Sequence, residues 1–351
     1  MSWKVWVTGL AVVGLAAGAE LRSAGVMAFG PDGVLFVGDS AGAAVWAFET
    51  ADKTPATRGG RVEVKGINEK IAAMLGTTAD QILIQDAVVN PISKKVYVSV
   101  ARGKGPDATP VILRVDAAGK IEEFATATAK SSRVELPNAP DAGVRDKRGG
   151  SPRQESITDL AYVDGKIFVA GLSNEEFASN LRAIPYPFRA ADRGTSIEIF
   201  HGNHGRFETN APVRTFVPYA INAEPHLLAA YTCTPLVKIP LSSLKPGTKV
   251  MGTTIAELGN RNRPLDMVVY QKSGKDFILM NNSSRGVMKL STDGIDKFDA
   301  ITKQTDVTGV PYETLAEWKG IEQLDKLDDG HVVVLARAEG GSLDLRTVAL
   351  P

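Results

Sequence analysis

Residues 265 to 290 read "LDMVVYQKSGKDFILMNNSSRGVMKL", two apolar strands around a Lys-Ser-Gly-Lys turn. In an antiparallel hairpin the start of the first strand and the end of the second share one edge, so Asp266 and Asn281 are predicted neighbours. The constraint on the fold is that this unit recurs. "AGVMAFGPDGVLFVGDSAGAAVWAF" (24 to 48), "DAVVNPISKKVYVSVARG" (86 to 103), "TDLAYVDGKIFVAGLSN" (158 to 174) and "GIEQLDKLDDGHVVVLARA" (320 to 338) each set a polar turn between apolar strands, and 214 to 241 is a looser copy. About six units at a spacing of roughly 40 to 70 residues predict an all-β, six-bladed β-propeller. Continuations such as "AAVWAFE", "TPLVKIPL" and "RGVMKLSTDGI" supply third strands. A two-sheet sandwich predicts fewer and less self-similar strands for this length.

Insertions interrupt the repeat. "INEKIAAMLG" (67 to 76) has apolar residues at helical spacing and predicts a short helix. Residues 137 to 155, rich in Pro, Gly and charge, predict an exposed loop, and 174 to 195 predict another surface excursion. None is long enough for a second domain, so residues 20 to 351 are expected to form one propeller. How its ring closes stays open: "SLDLRTVAL" reaches the C-terminus, and residues 20 to 24 could complete the last blade or begin the first. Residues 1 to 19 resemble a signal peptide, with Lys4, an apolar stretch and Ala17-Gly18-Ala19 as a cleavage site. The expected location is periplasmic or secreted, with no membrane span after cleavage.

Forty basic residues balance forty acidic ones and no long basic run occurs, which argues against a nucleic-acid partner. Cys233 is the only cysteine, so no disulfide forms within the chain; it reads as a small buried core residue. There is no Gly-x-Ser-x-Gly elbow, phosphate-binding Gly-Lys-Ser/Thr motif or Cys-x-x-Cys-His, so neither nucleotide nor haem is expected. A closed ring leaves no sheet edge to pair between chains, and a monomer is expected.

The stretches "FGPDGVLFVGDSAGAAVWAF" and "LMNNSSRGVMKL" resemble six-bladed propellers of the NHL, gluconolactonase and strictosidine synthase-like group. The resemblance covers most of residues 21 to 351 and lies in blade grammar, which speaks to fold more than to function.

Superposed by their turns, the units place Asp86, Asp159, Asp266 and Glu322 together as an acidic ring, with Thr215 a poorer match and Gly25 empty. The second strands end at Asp39 and Ser40, Arg102, Ser173 and Asn174, Thr232 and Cys233, Asn281 and Asn282, and Arg337. Clustered carboxylates need a cation, arginines or shared protons. Oxygen donors of this kind suit calcium or another divalent ion. Resemblance to the gluconolactonases implies a channel metal, for which Asp266, Asn281 and Glu322 could supply ligands, and a metal-dependent hydrolase of the lactonase type. Alternatively Arg102 and Arg337 balance the acids. Arg261 and Arg263, just before Asp266, could bind an anion or bridge to neighbouring acids, and Arg285 poses the same choice.

"HGNHGRFE" sets His201 and His204 three apart, where they could hold a transition metal if His226 or Cys233 approached, or simply form hydrogen bonds in a surface hairpin. The expected function is therefore binding of a small ligand, ion or protein at the channel mouth, through Asp86, Asp159, Asp266, Asn281, Asn282, Glu322, Arg263 and Arg337. A lactonase-like hydrolase and a redox-partner or metal-handling protein are the alternatives.

Overall fold

In the computed structural model, which describes residues 20–56, 61–147 and 149–351, the hairpins become six sheets set as the blades of a ring, antiparallel except where Lys249–Met251 adds in parallel to Thr195–His201. Residues 1 to 19, the expected signal peptide, lie outside the described residues. Blades are numbered I to VI by the chain order of their inner strands: Met27–Phe29, Ile82–Val89, Asp159–Val163, Thr215–Ile221, Pro264–Lys272 and Ile321–Lys326. The second strands are Val34–Asp39, Val96–Arg102, Lys166–Leu172, Glu224–Ala230, Lys275–Asn282 and His331–Arg337. Third strands follow at Ala44–Glu49, Thr109–Val115, Ser179–Pro185, Pro235–Pro240, Gly286–Ser291 and Leu343–Ala349.

Turn chemistry fixes these hairpins. Asp164-Gly165, Asn222-Ala223 and Ser273-Gly274 connect inner to second strands in three blades, and all six residues have positive φ. Two such residues in a row give a primed turn, whose twist matches that of paired strands. The predicted register holds, with Asp266 directly opposite Asn281.

Inner strands touch around the ring in the order VI, II, I, III, IV, V and back to VI, which is not the order of the chain. After blade I the chain crosses to the rim of blade VI, lays down Glu63–Val64 as its outermost strand, forms helix Ile67–Met74 and then builds blade II. It next returns to blade I, where Ser131–Glu135 is the outermost strand. Aromatic packing follows the spatial order: Trp46 and Phe48 of blade I meet Tyr97 and Phe124 of blade II, whereas Phe36 packs on Tyr162 and Phe188 of blade III.

The ring closes through Glu63–Val64, with Val64 opposite Leu345 and Glu63 opposite Arg346, and with the Val62 N–H donating to Thr347 Oγ1 at 2.9 Å. Residues 20 to 24 do not make the closing strand. The Arg22 and Ser23 N–H groups instead dock on the Asp39 carboxylate of blade I at 3.0 and 2.9 Å.

Residues 174 to 195 are not a surface excursion, because they contain the third strand of blade III. That strand is almost wholly buried, and Asn180 and Arg182 within it break the apolar pattern that marks its counterparts. Arg182 is fully buried and donates from Nη2 to Asn138 Oδ1 at 2.7 Å. The helix expected at 67 to 76 forms over Ile67–Met74 and buries Ile67, Ile71 and Ala72, residues i, i+4 and i+5 of one face. The exposed loop expected at 137 to 155 is buried at its start, at Asn138 and Ala139, exposed from Asp141 among the described residues, and ends in a 3₁₀ turn, Pro152–Glu155. Among the described residues no helix is long and apolar enough to cross a membrane.

Candidate functional site: a channel and a Cys-His cluster on one face

The inner strands all run from one face of the ring to the other. Second strands end on the face where inner strands start, called here the upper face. Asp86, Asp159 and Asp266 occupy equivalent register positions opposite Ser99, Ala170 and Asn281. In spatial order they fall on every second blade, II, III and V.

Each carboxylate links two blades. Asp86 accepts from the N–H of Ala87 beside it and from Met27 of blade I at 2.6 Å. Asp159 does the same with Leu160 and Phe216 of blade IV at 2.7 Å, and Asp266 with Met267 and Leu324 of blade VI at 3.0 Å. A second bond parallels each: Ser99 Oγ donates to Gly25 O, Thr158 Oγ1 to Val213 O and Asn281 Nδ2 to Ile321 O. These groups staple the blades in pairs.

Burial pushes Asp86 and Asp159 up to about 7 against the opposing pull of their N–H donors. Asp266 rises well above the usual carboxylate range through burial and through repulsion from Asp86.

Glu322 does not belong to this ring. The inner strand of blade VI bulges between Ile321 and Gln323, which moves Gln323 into the aligned position and turns Glu322 outward to pair with Arg337. Gln323 Nε2 reaches Gln85 O at 3.2 Å. Asp325, two residues on, is the acid that faces inward; it accepts from Val89 of blade II at 2.6 Å, and burial raises it to about 6. Period-two alternation from Gln323 was the sequence signal for it. The calcium set expected from Asp266, Asn281 and Glu322 is not assembled, since Glu322 points to Arg337 and Asp266 already accepts from two backbone N–H groups; Asn281 donates from Nδ2 to Ile321 O, while its buried Oδ1 has no hydrogen-bond partner among the described residues. Asn282 accepts from Asn262 Nδ2 at 2.9 Å and donates to Met280 O and Gly286 O.

Below these staples the channel widens to a cavity of about 620 Å³, walled by Met27, Leu160, Phe216, Leu265 and Leu324 together with the four aspartates. A smaller space of about 220 Å³ forms its upper mouth, lined by Gln154, Glu155, Arg214, Arg263 and Gln323. Arg214 pairs with Glu155 and donates from Nε to Thr232 Oγ1 at 3.1 Å. Arg337 also donates to Gly341 O, and Arg285 to Asn260 O.

The histidine pair lies on the same face. His201 ends the fourth strand of blade III, Thr195–His201, and a 3₁₀ turn, Gly202–His204, leads into Arg206–Glu208. Glu257 of blade IV holds that turn by accepting from Gly202 N–H at 2.6 Å and Asn203 Nδ2 at 2.8 Å. Glu208 reaches back to both imidazoles, 2.8 Å from His201 Nδ1 and 2.6 Å from His204 Nδ1. Burial raises Glu208, but the bonds from His201 and His204 prevail and bring it down to about 2.

Cys233 sits in the turn after the second strand of blade IV. It is half-buried rather than a core residue, and both Cys233 and Thr234 have positive φ, 64° and 58°. Its N–H donates to Asn262 O at 2.7 Å. One ring nitrogen from each histidine and the Cys233 sulfur all lie within 4.8 Å of one another. Among the described residues no other group of three His, Cys, Asp or Glu side chains converges so closely. His226 is not in the cluster; its Nδ1 contacts Glu224 O. No local motif joins Cys233 to the histidines, but counting strands up and down puts the ends of second and fourth strands on one face.

No family model matches the chain, and no curated protein matches it. Solved structures that resemble it include a putative oxidoreductase (glucose dehydrogenase) from Thermus thermophilus, 12% identical over 96% of this chain and 99% of that one, with a TM-score of 0.37. A PQQ-bound aldose sugar dehydrogenase from Streptomyces coelicolor is 11% identical, covering 96% and 98%, with a TM-score of 0.34. A chain of the mitotic checkpoint complex is 8% identical over 99% of both chains, with a TM-score of 0.36. Likenesses this distant carry no argument about function. The protein is a six-bladed β-propeller by its own topology.

Proposed function

We propose that this propeller takes up and releases a transition metal, copper or zinc, on its upper face through His201, His204 and Cys233. The observation that carries the reading is the double anchor of Glu208 behind two imidazoles that share a site with a thiol. An ionised carboxylate only accepts hydrogen bonds, so each Nδ1 carries the proton and each Nε2 keeps its lone pair for a metal. His201 Nε2 is buried and has no hydrogen-bond partner among the described residues. A carboxylate behind a histidine is the usual support of a metal ligand, fixing tautomer and ring orientation.

Zinc bonds of about 2.0 to 2.3 Å place tetrahedral N and S ligands about 3.4 to 3.6 Å apart, so the site needs to close by roughly 1 Å. Two imidazoles and a thiolate suit copper or zinc, whereas calcium prefers oxygen. Three protein donors leave a fourth position open, and the His204 side chain is 41% exposed, so the metal is reachable from solvent.

Metal analysis and titration with zinc and copper(I) test this. One metal per chain is expected, with near-complete loss in the His201→Ala/His204→Ala double variant and strong weakening in Cys233→Ser. Cobalt substitution should give a thiolate charge-transfer band that Cys233→Ser removes. Undiminished binding in the double variant, with its fold verified by circular dichroism, would refute the reading.

A further inference from the structure

We propose, beyond the metal reading and independently of it, that Arg263 and Arg214 at the channel mouth form a site for a small organic oxyanion whose uncharged body enters the channel. Three observations converge on it. First, Arg263 has no carboxylate within ion-pair distance and no side-chain hydrogen bond among the described residues, although its side chain lines the 220 Å³ mouth. Glu155 is committed to Arg214, so two arginines and one glutamate leave one positive charge uncompensated.

Second, Arg263 stands on a rigid base. Its N–H donates to Ser283 Oγ at 3.0 Å and its carbonyl accepts from Ser283 N–H at 2.9 Å. The preceding Asn262 is buried, donating to Asn282 and accepting from Ser284 N–H and Oγ. A guanidinium presented from a fixed backbone loses less freedom on binding than one on a mobile loop, and its planar fork matches carboxylate and phosphate oxygens.

Third, the mouth opens into the larger cavity, with which it shares Val26, Thr158, Arg214, Leu265 and Gln323. At about 620 Å³ that cavity is the size of a small-molecule site, and Met27, Leu160, Phe216, Leu265 and Leu324 give it apolar wall beside the aspartates, with Lys94 and Lys326 also in its lining. Protonated or ionised, those aspartates offer no positive charge, so the oxyanion stays with the arginines at the mouth and the stretch beside the aspartates takes neutral groups. The ligand class is thus a small acid with one oxyanion head, carboxylate or phosphate, and an uncharged body.

Calorimetric titration of the full chain at low ionic strength tests the site, with benzoate, benzyl alcohol and inorganic phosphate as probes. Benzoate separates from phosphate according to whether the head is carboxylate or phosphate, and benzyl alcohol reports the body alone. Binding of benzoate or phosphate should weaken about 10- to 100-fold in Arg263→Gln, the loss expected for a charge-assisted hydrogen bond. Arg263→Lys should recover part of it, and Cys233→Ser should leave it unchanged. Overturning results are undetectable binding of both anions, benzyl alcohol binding as well as benzoate, or affinity that ignores Arg263→Gln. Anion binding lost in Cys233→Ser but kept in Arg263→Gln would place the anion on the metal, which sinks this proposal and supports the metal reading.

Discussion

Replacing Asp159 with Asn should weaken the response of stability to pH, leaving the part that Asp86, Asp266 and Asp325 contribute. Unfolded, Asp159 titrates near its ordinary value of 3.8; folded, burial holds it at about 7. Between those values the native state keeps a proton that the unfolded chain has lost, so stability from this group is full below about pH 4 and is lost as pH rises to about 7. At 1.36 kcal/mol for each pH unit between the two values, the loss totals about 4 kcal/mol. Asp159 also touches the channel space, which solvent can enter, so about 4 kcal/mol is a ceiling. Asparagine keeps one acceptor oxygen for the Leu160 or Phe216 N–H and forfeits the other bond, a loss of about 1 kcal/mol, but it does not titrate.

Urea midpoints at pH 5, 6, 7 and 8, with m constant, measure the difference. Wild type should gain stability on acidification from 8 to 5, against the usual behaviour of carboxylates, and Asp159→Asn should flatten that slope. The variant should exceed wild type at pH 8, and the gap should close as pH falls to 5, with the curves crossing only at about pH 4.5. Parallel curves for the two proteins would refute the argument, because the titrating group would then not be Asp159.

Three further outcomes follow from the geometry. Glu208→Gln should weaken metal binding about 10- to 100-fold by freeing both imidazoles to rotate, read by competition with a chelating dye; an unchanged affinity would mean the carboxylate does not orient the rings. Gly171→Ala should destabilise by more than about 3 kcal/mol, since its Cβ would lie 2.1 Å from Ser156 O, and chemical denaturation at a single pH shows this. Val64→Ala, at the 1% exposed closing strand, should lose about 2 kcal/mol and raise the unfolding rate, and a neutral result would show that the two-residue strand does not hold the ring.

The blades were legible because each hairpin writes its turn and alternation locally. Asp266 and Asn281 were placed as neighbours from a Ser-Gly turn and two strands, and they pair directly. The third strand of blade III was not legible: Asn180 and Arg182 carry its polarity inward, where Asn180 Nδ2 meets Arg193 O and Arg182 Nη2 meets Asn138 Oδ1, partners outside the strand. Superposition by turns failed for Glu322 because it is the bulged residue itself, the counterpart of Gln85 and Leu265, and the aligned position after the bulge, held by Asp86 and Asp266 in blades II and V, falls on Gln323. Acid residues at strand starts suggested a ligand, but nothing local says that backbone N–H groups of the next blade already occupy them. The metal cluster depends on Cys233 meeting His201 and His204 across two blades, a contact only the ring order creates.

That ring order also has a consequence in time. Glu63 and Val64 leave the ribosome before blades II to V, yet their partners Arg346 and Leu345 follow only after those blades, and helix Ile67–Met74 packs beside the same later strand. Blade II is complete long before blade VI, its spatial neighbour, exists. A nascent chain can assemble blades II, I, III and IV as an open arc, but both ends of the arc expose unpaired apolar faces until blades V and VI follow. The seam is therefore a late checkpoint of assembly: a chain cut just before Leu345 keeps its six inner strands and loses its closure, leaving an unfinished, adhesive ring.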